Sequence, residues 1–296
     1  MPERRRKAAP DSENLMKTAI IGLPQTGKTA LFTILTGVHE AARVGSLEAR
    51  AGVAKVPDAR IEALAELFQP ERITHATVEY LDFPAISKEA LREPSYLGSL
   101  RVVDALAHVV RLFESDTVPH EKGRIDPLGD IGDVEQELML SDLMVVEKRL
   151  ERLEKDRKKI KSSDLEHEYE ALAAVKSALE AGRPIRELQL SPEQEKRLRG
   201  FQFLSQKPVL YVLNLGDADA ARLHAIEAEY RQKLDAGGSQ TAVVAVCGKI
   251  ESELAELTTE EAREYLASYG LTESGLERII QATYSLLGLM SFLTAG

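Results

Sequence analysis

The stretch KTAIIGLPQTGKTALFTIL, residues 17–35, decides the fold. It starts with a short apolar run typical of a buried strand, passes through a loop bounded by glycines, and ends in a helix-like pattern. Residues 22–29 match G-x-x-x-x-G-K-[ST], whose glycines let successive backbone N–H groups point at phosphate oxygens. The alternative is a glycine-rich turn that only connects strand to helix, but the strand–loop–helix context favours phosphate binding.

Two side chains of this loop have predicted chemical roles. We expect the Lys28 ammonium to contact the β and γ phosphates and to support catalysis, and the Thr29 hydroxyl to bind Mg²⁺. The positive end of the helix that follows adds to the field at the phosphates. The predicted phosphate-binding residues are Gln25, Thr26, Gly27, Lys28, Thr29 and Ala30.

Composition limits the classes of function. The chain has 296 residues and a net charge of −10. A strongly acidic protein does not coat nucleic acid non-specifically, so we expect no DNA partner and at most a local RNA contact. The single cysteine excludes an intrachain disulfide and a metal cluster held by thiolates. No apolar run is long enough to cross a bilayer and no secretory signal is recognised, so we expect a cytoplasmic protein without a membrane partner.

Short β-rich runs alternate with helical patterns in the first part of the chain. The strand candidates there are KTAIIGL, ATVEYLDF and ALAHVVRLF, and helical patterns such as DARIEALAELF lie between them. KPVLYVLNL and QTAVVAVCG continue the series later in the sequence. This alternation predicts an α/β fold with a mostly parallel sheet. We predict a basic tail at residues 1–14, an α/β domain formed by residues 15–130 and 205–296, and a helical insertion at residues 131–204.

Two apolar stripes in the insertion predict an antiparallel helical hairpin of the coiled-coil type. The first stripe follows heptad spacing and consists of Met139, Leu143, Val146, Leu150 and Leu153. The second stripe consists of Leu165, Tyr169, Leu172 and Leu179. The polar segment EKDRKKIKSSD separates the stripes, GRP ends the second helix, and SPEQ starts a third helix.

Asp82 is the candidate for a second metal ligand. It ends the strand candidate VEYLD, and a phosphate loop needs a carboxylate near the metal at the end of a neighbouring strand. The alternative is an aspartate that caps the next segment.

A second polar motif follows a later strand and is suited to recognising a base. Asn214 and Asp217 form an N-x-x-D pair in which the carboxylate can accept two N–H groups from guanine. The guanine-recognising form of this loop usually carries Lys after the Asn, whereas this chain has Leu215. Cys247 and Gly248, after another strand, are predicted to close the base pocket. The alternative is a polar turn after a strand.

With these motifs in this order, the chain resembles the YchF or Obg-like ATPase family of translation-factor-class P-loop proteins. DALAHVVRLFESDTVPHEKGRIDPLGDI, ELMLSDLMVVEKRLERLEKD and LTESGLERIIQATYSLLGLMSFLTAG are similar to that family as well. The resemblance implies a Ras-like G domain of the P-loop NTPase fold, an inserted coiled-coil domain and slow nucleotide hydrolysis. In the family a small ubiquitin-like TGS domain follows, and we expect it to be missing here.

The resemblance also bears on the choice between ATP and GTP. The family prefers ATP through an N-x-x-E loop. Leu215 matches that loop, whereas Asp217 is typical of GTPases. We therefore expect a weak preference for ATP and keep a GTP-specific G protein as an alternative.

The residues at several positions differ from those expected in an efficient hydrolase. Ile86 stands where Ras-like GTPases have a water-positioning Gln, so the resemblance points to His120 as the catalytic group, with an ordinary exposed loop histidine as the alternative. Ala85 replaces a metal-site glycine, and Gln25 replaces an Asn that is linked to a monovalent cation, which leaves K⁺ as a further candidate cofactor. These departures predict slow hydrolysis, or a module that signals by nucleotide occupancy alone.

The polar tip of the hairpin is the candidate contact with RNA. It carries Lys155, Arg157, Lys158, Lys159 and Lys161. The resemblance implies association with ribosomes, and cations clustered at a helix tip could contact rRNA. The alternative is a solvated helix end, where cations are also favourable.

Overall fold

In the computed structural model, residues 16–39, 47–120, 122–234 and 240–293 are described. The predicted basic tail at residues 1–14 lies outside the described residues. All element bounds below refer to the described part of the chain.

The described chain contains a six-stranded sheet in the order β2-β3-β1-β4-β5-β6. Neighbouring strands are parallel except for the antiparallel pair β2–β3, so the predicted mostly parallel α/β sheet is confirmed. The carboxyl ends of the five parallel strands meet at one edge of the sheet, where ligands bind in such folds. The strands are β1 (Lys17–Ile21), β2 (Arg50–Lys55), β3 (Thr77–Asp82), β4 (Ala105–Arg111), β5 (Val209–Asn214) and β6 (Thr241–Val246).

Strand β2 is absent from the sequence-based prediction. Its sequence, RAGVAK, contains a glycine and little of the β-branched or aromatic character that marks a strand. Pairing with β3 holds it in place, from Arg50 opposite Asp82 to Lys55 opposite Thr77. Gly52 allows a close approach, since a Cβ there would lie 2.5 Å from the Cβ of Thr36. Tertiary packing therefore determines this edge strand.

Helices cover both faces of the sheet. On one face, buried side chains of α3 (Pro94–Arg101), α7 (Leu223–Lys233) and the start of α4 (Pro127–Arg157) pack against β1, β4 and β5. On the other face, α1 and α10 contribute Leu31, Phe32, Ile279 and Ile280 to a second core. The helices outside the insertion are α1 (Lys28–Thr36), α2 (Ala59–Phe68), α3 (Pro94–Arg101), α7 (Leu223–Lys233), α8 (Gly248–Leu254), α9 (Thr259–Ser268) and α10 (Gly275–Leu286).

The predicted helical hairpin is present. Its two helices are α4 (Pro127–Arg157) and α5 (Ser163–Glu180), and the short α6 (Pro192–Leu198) follows them. The two apolar stripes form a core of their own, in which Val146, Leu153 and Leu172 are completely buried. Helix α6 begins with a capping box between Ser191 and Gln194, as the SPEQ pattern predicts.

Buried polar side chains attach the base of the hairpin to the sheet. The carboxylate of Asp142 on α4 accepts hydrogen bonds from the backbone N–H and the hydroxyl of Ser205, both at 2.8 Å, and from Arg101 at 3.2 Å. Burial raises the pKa of Asp142, and the Arg101 guanidinium opposes that shift. Glu135 on α4 accepts a hydrogen bond from the Tyr211 hydroxyl of β5 at 2.8 Å. These contacts join the insertion to the domain that carries the phosphate loop.

Candidate nucleotide site

The loop between β1 and α1 has a backbone that requires glycine at two positions. Gly22 and Gly27 have φ angles of 146° and 91°. A Cβ on Gly22 would lie 2.5 Å from the carbonyl oxygen of Val109, and one on Gly27 would lie 2.4 Å from Nδ2 of Asn214. Gln25 between them also has a positive φ, 59°, which is uncommon outside glycine and concentrates at functional sites.

Lys28 is buried at the start of α1, with 8% of its surface exposed. Its Nζ donates a hydrogen bond to the carbonyl oxygen of Leu23 at 2.7 Å, and the Thr26 hydroxyl donates to the same oxygen at 3.1 Å. The ammonium therefore lies over the loop that precedes its own helix. Buried cations beside backbone N–H groups at a helix N-terminus favour an anionic ligand.

Thr29 and Asp82 lie together, as the sequence predicts for a metal site. The Thr29 hydroxyl donates to Oδ2 of Asp82 at 3.1 Å, and Arg50 pairs with the same oxygen. The other carboxylate oxygen, Oδ1, is buried and has no hydrogen-bond partner within the described chain. A hydroxyl and an unsatisfied carboxylate oxygen fit Mg²⁺, which prefers oxygen ligands. No group of three or more His, Cys, Asp or Glu side chains in the described residues could hold a metal alone, so phosphate oxygens and water would complete the coordination.

Asn214 connects the phosphate loop to the end of β6. Its Nδ2 donates to the carbonyl oxygen of Thr26 at 3.0 Å, and its Oδ1 accepts from the backbone N–H of Gly248 at 3.0 Å. The side chain is 5% exposed. Asn214 therefore holds together two of the segments that the sequence assigns to nucleotide binding.

The other residues of the base motif differ in exposure. The side chains of Leu215 and Cys247 lie in the core, so only their backbone groups could face a ligand. Asp217 is exposed and pairs with Lys249, whose hydrogen bond lowers the pKa of the Asp217 carboxyl. An ionised carboxylate at this position can accept N–H groups from a base, but Lys249 competes for it.

Phe113 and Val118 are site residues that the sequence analysis missed. With residues 25–30 they line a cavity of about 310 Å³. Both follow β4, which is the neighbour of β1 in the sheet, so their segment emerges beside the phosphate loop. Phe113 is the last residue of the strand candidate ALAHVVRLF, and an aromatic residue at the end of a strand was the available signal.

Comparison with known proteins identifies the family. No protein-family model matches the chain. The chain is 37% identical to the ribosome-binding ATPase YchF of Bacillus subtilis over 288 residues, which cover 95% of this chain and 78% of the relative. The chain belongs to the YchF family. The ribosome-binding ATPase YchF of Haemophilus influenzae is also 37% identical, over 289 residues, with the same coverage of both chains.

A solved YchF structure has the same fold. The structure of the Schizosaccharomyces pombe YchF GTPase matches with a TM-score of 0.76 and 26% identity, and covers 93% of this chain and 76% of its own. The predicted G-domain fold with an inserted helical hairpin is therefore confirmed. In the described part of this YchF protein, no helix meets the length and apolarity that a membrane span needs.

The candidate catalytic residue of this YchF protein lies in the segment between β4 and α4. Nε2 of His120 is 3.3 Å from Oδ2 of the buried Asp130, and its Nδ1 accepts from the backbone N–H of Lys122 at 3.1 Å. His120 is not among the residues that line the cavity beside the phosphate loop. The Ile86 side chain is buried, and its backbone N–H donates to the Gly22 carbonyl at 3.2 Å. The catalytic role of His120 stays a prediction.

The cations of the hairpin tip fall into two groups. Arg157 bonds to Glu166 through Nε at 2.8 Å, and its guanidinium lies 4.0 Å from the centre of the Tyr169 ring. The remaining four are exposed at the end of α4 and in the connection to α5: Lys155, Lys158, Lys159 and Lys161. Arg157 thus contributes to packing of the hairpin, whereas the lysines face solvent.

Proposed function

We propose that this YchF protein binds a nucleoside triphosphate at residues 22–29 and hydrolyses it slowly in a Mg²⁺-dependent reaction. The observation that carries the proposal is the pairing of Thr29 with Asp82 beside the buried ammonium of Lys28. This arrangement matches what a triphosphate and its metal need from a phosphate loop. The names of the relatives support the proposal, because the bacterial proteins are called ATPases and the S. pombe protein a GTPase.

Thr29 and Asp82 would hold the metal. Bound Mg²⁺ neutralises negative charge on the β and γ phosphate oxygens. Arg50 already pairs with Oδ2 of Asp82, which leaves Oδ1 as the carboxylate oxygen without a partner in the described chain. Asp82 would therefore contribute through Oδ1, with the Thr29 hydroxyl as the second protein oxygen.

We infer a preference for ATP over GTP. Leu215 is buried and cannot supply the cation that the guanine-recognising loop carries after its Asn. Lys249 pairs with Asp217 and competes with the guanine N–H groups for that carboxylate. The bacterial relatives carry the name ATPase.

A module that signals by occupancy is the second candidate. The buried Ile86 side chain cannot orient a water molecule, and His120 is held by Asp130 at the start of α4. Both observations favour slow chemistry, and neither opposes nucleotide binding.

Single-turnover hydrolysis measured beside affinity separates the two candidates. With Mg²⁺ and saturating protein, we expect ATP to be cleaved at a rate on the order of 10⁻³ s⁻¹ or slower. Tight binding without cleavage would establish the occupancy module, and rapid turnover would contradict slow hydrolysis. The same assay in KCl and in NaCl tests K⁺ as a candidate cofactor. A His120→Ala variant tests the predicted catalytic histidine, whose loss should lower the rate without weakening binding.

We also propose that the protein associates with ribosomes through the hairpin tip. Both bacterial relatives are named as ribosome-binding. The four exposed lysines of the tip form a local cationic surface on a protein of net charge −10, which suits contact with rRNA. A cytoplasmic location follows from such a role and stays a prediction.

Replacing the four tip lysines with Ala tests the ribosome contact without disturbing the hairpin. Arg157 is kept, because its contacts with Glu166 and Tyr169 hold the two helices together. We expect co-sedimentation with ribosomes to fall by about tenfold and to lose most of its salt dependence. The matched control replaces four exposed lysines elsewhere: Lys55, Lys88, Lys196 and Lys233. Equal losses in both variants would contradict a specific role for the tip.

A further inference from the structure

Arg111, the last residue of β4, binds four backbone carbonyl groups. Its Nε donates to Phe113 at 3.1 Å and Nη2 donates to Val118 at 2.6 Å. Nη1 donates to Pro119 at 3.2 Å and to Gln25, in the phosphate loop, at 3.4 Å. The residue is 2% exposed. One guanidinium therefore joins the phosphate loop to the segment at residues 113–119.

Among the described residues, no carboxylate balances the charge of Arg111. All four acceptors are neutral carbonyl oxygens, and no ion pair involves Arg111 within the described residues. Burial lowers the pKa of Arg111, but an arginine keeps its proton at any physiological pH. The guanidinium carbon also lies 4.3 Å from the centre of the Phe113 ring, but neither carbonyl dipoles nor a ring face neutralise a buried charge as a nearby anion does. The fold therefore holds a positive charge that a ligand could neutralise.

The surroundings of Arg111 indicate where that anion would lie. Gln25, Phe113 and Val118 all line the cavity beside the phosphate loop, and Arg111 contacts the backbone of all three. The cavity also includes Lys28 and Thr29, which the proposed function assigns to the phosphates. The guanidinium lies behind this wall and acts on the cavity through a protein interior of low dielectric constant.

We propose that Arg111 is a positioning residue for the polyphosphate, in addition to the residues of the phosphate loop itself. It fixes the loop and the 113–119 segment as opposite walls of one pocket, and its buried charge favours ligands in proportion to their negative charge. This inference rests on the proposed function, since it takes a nucleoside polyphosphate as the ligand. A residue that only joined the two segments would be a structural clamp, and its loss would lower the affinity for every nucleotide equally. Loss of the Arg111 charge should instead lower the affinity most for the most highly charged nucleotide.

The test compares the affinities for AMP, ADP and a non-hydrolysable ATP analogue in the presence of Mg²⁺. In Arg111→Met, we expect affinity for the ATP analogue to fall by about tenfold or more, affinity for ADP to fall less, and affinity for AMP to fall least. In Arg111→Lys, which keeps the charge but cannot reach all four carbonyls, we expect the ratio of ATP-analogue to AMP affinity to stay near that of the parent. Melting temperatures identify variants that fail to fold.

Three results would overturn the inference. Equal losses for the three nucleotides in a folded Arg111→Met would show a clamp without an electrostatic role. If Arg111→Met does not fold, a collapse of the affinity ratio in a folded Arg111→Lys would show that the charge at this position does not set the preference for polyphosphates. A parent protein that binds none of the three nucleotides would overturn the proposed function as well, whereas tight binding by the parent with an unchanged ratio in Arg111→Met would overturn only this inference.

Discussion

Lys28→Ala is expected to weaken binding of a non-hydrolysable ATP analogue by about a hundredfold, the equivalent of roughly 3 kcal/mol. Lys28 is 8% exposed, and its ammonium lies over the phosphate loop through its hydrogen bond to the Leu23 carbonyl. A hydrogen bond between an ammonium and a phosphate is charge-assisted and gains strength where water is excluded. Alanine removes both the positive charge and the hydrogen-bond donor. Calorimetric titration measures the loss.

Two further variants make the Lys28 result specific. Lys55→Ala removes an exposed lysine of β2 and should leave the affinity unchanged. Lys28→Arg keeps the charge but not the compact ammonium, so it should recover only part of the affinity. If Lys28→Ala bound the analogue as tightly as the parent, the phosphate loop would not be the triphosphate site.

Asn214→Ala is expected to reduce both stability and nucleotide affinity. The substitution leaves the Thr26 carbonyl and the Gly248 N–H without their present partner, and a buried polar group left unpaired costs about 1–3 kcal/mol. We expect the free energy of unfolding to fall by roughly 2–4 kcal/mol, since both contacts are lost. Because Thr26 is in the phosphate loop, we expect at least about a tenfold loss of ATP-analogue affinity. Urea unfolding and calorimetry measure the two effects.

Asn214→Asp distinguishes the effects of the two hydrogen bonds that the Asn214 side chain makes. The aspartate can still accept from the Gly248 N–H, but it cannot donate to the Thr26 carbonyl and repels it instead. Its affinity for the nucleotide should therefore be as low as that of Asn214→Ala. Gln232→Ala, an exposed amide on α7, is the control and should change neither quantity. If Asn214→Asp were as stable as the parent and bound the nucleotide as tightly, Asn214 would not hold the two segments together.

The parts of the site that can be predicted from the sequence are those that adjacent residues define. The phosphate loop, Thr29 and Asp82 were recognised because a short motif and a strand end mark them. The heptad stripes likewise predicted the hairpin, because burial along a helix repeats at regular spacing.

The remaining parts of the site depend on contacts between distant segments. Arg50 reaches Asp82 only because β2 pairs with β3, and RAGVAK does not mark a strand. Phe113 and Arg111 enter the site because β4 lies beside β1, which no local pattern indicates. The sequence pattern indicates only that Asp142 is a polar residue of a helix, yet it is fully buried against Ser205, 63 residues later in the chain.

The most direct test of the central claim is calorimetric titration of the parent protein with non-hydrolysable ATP and GTP analogues in Mg²⁺. The proposed site predicts saturable binding of one molecule per chain, tighter for the ATP analogue, and weaker when the metal is removed with a chelator. Absence of binding by both analogues would contradict the assignment of residues 22–29, Thr29 and Asp82 to a nucleoside triphosphate.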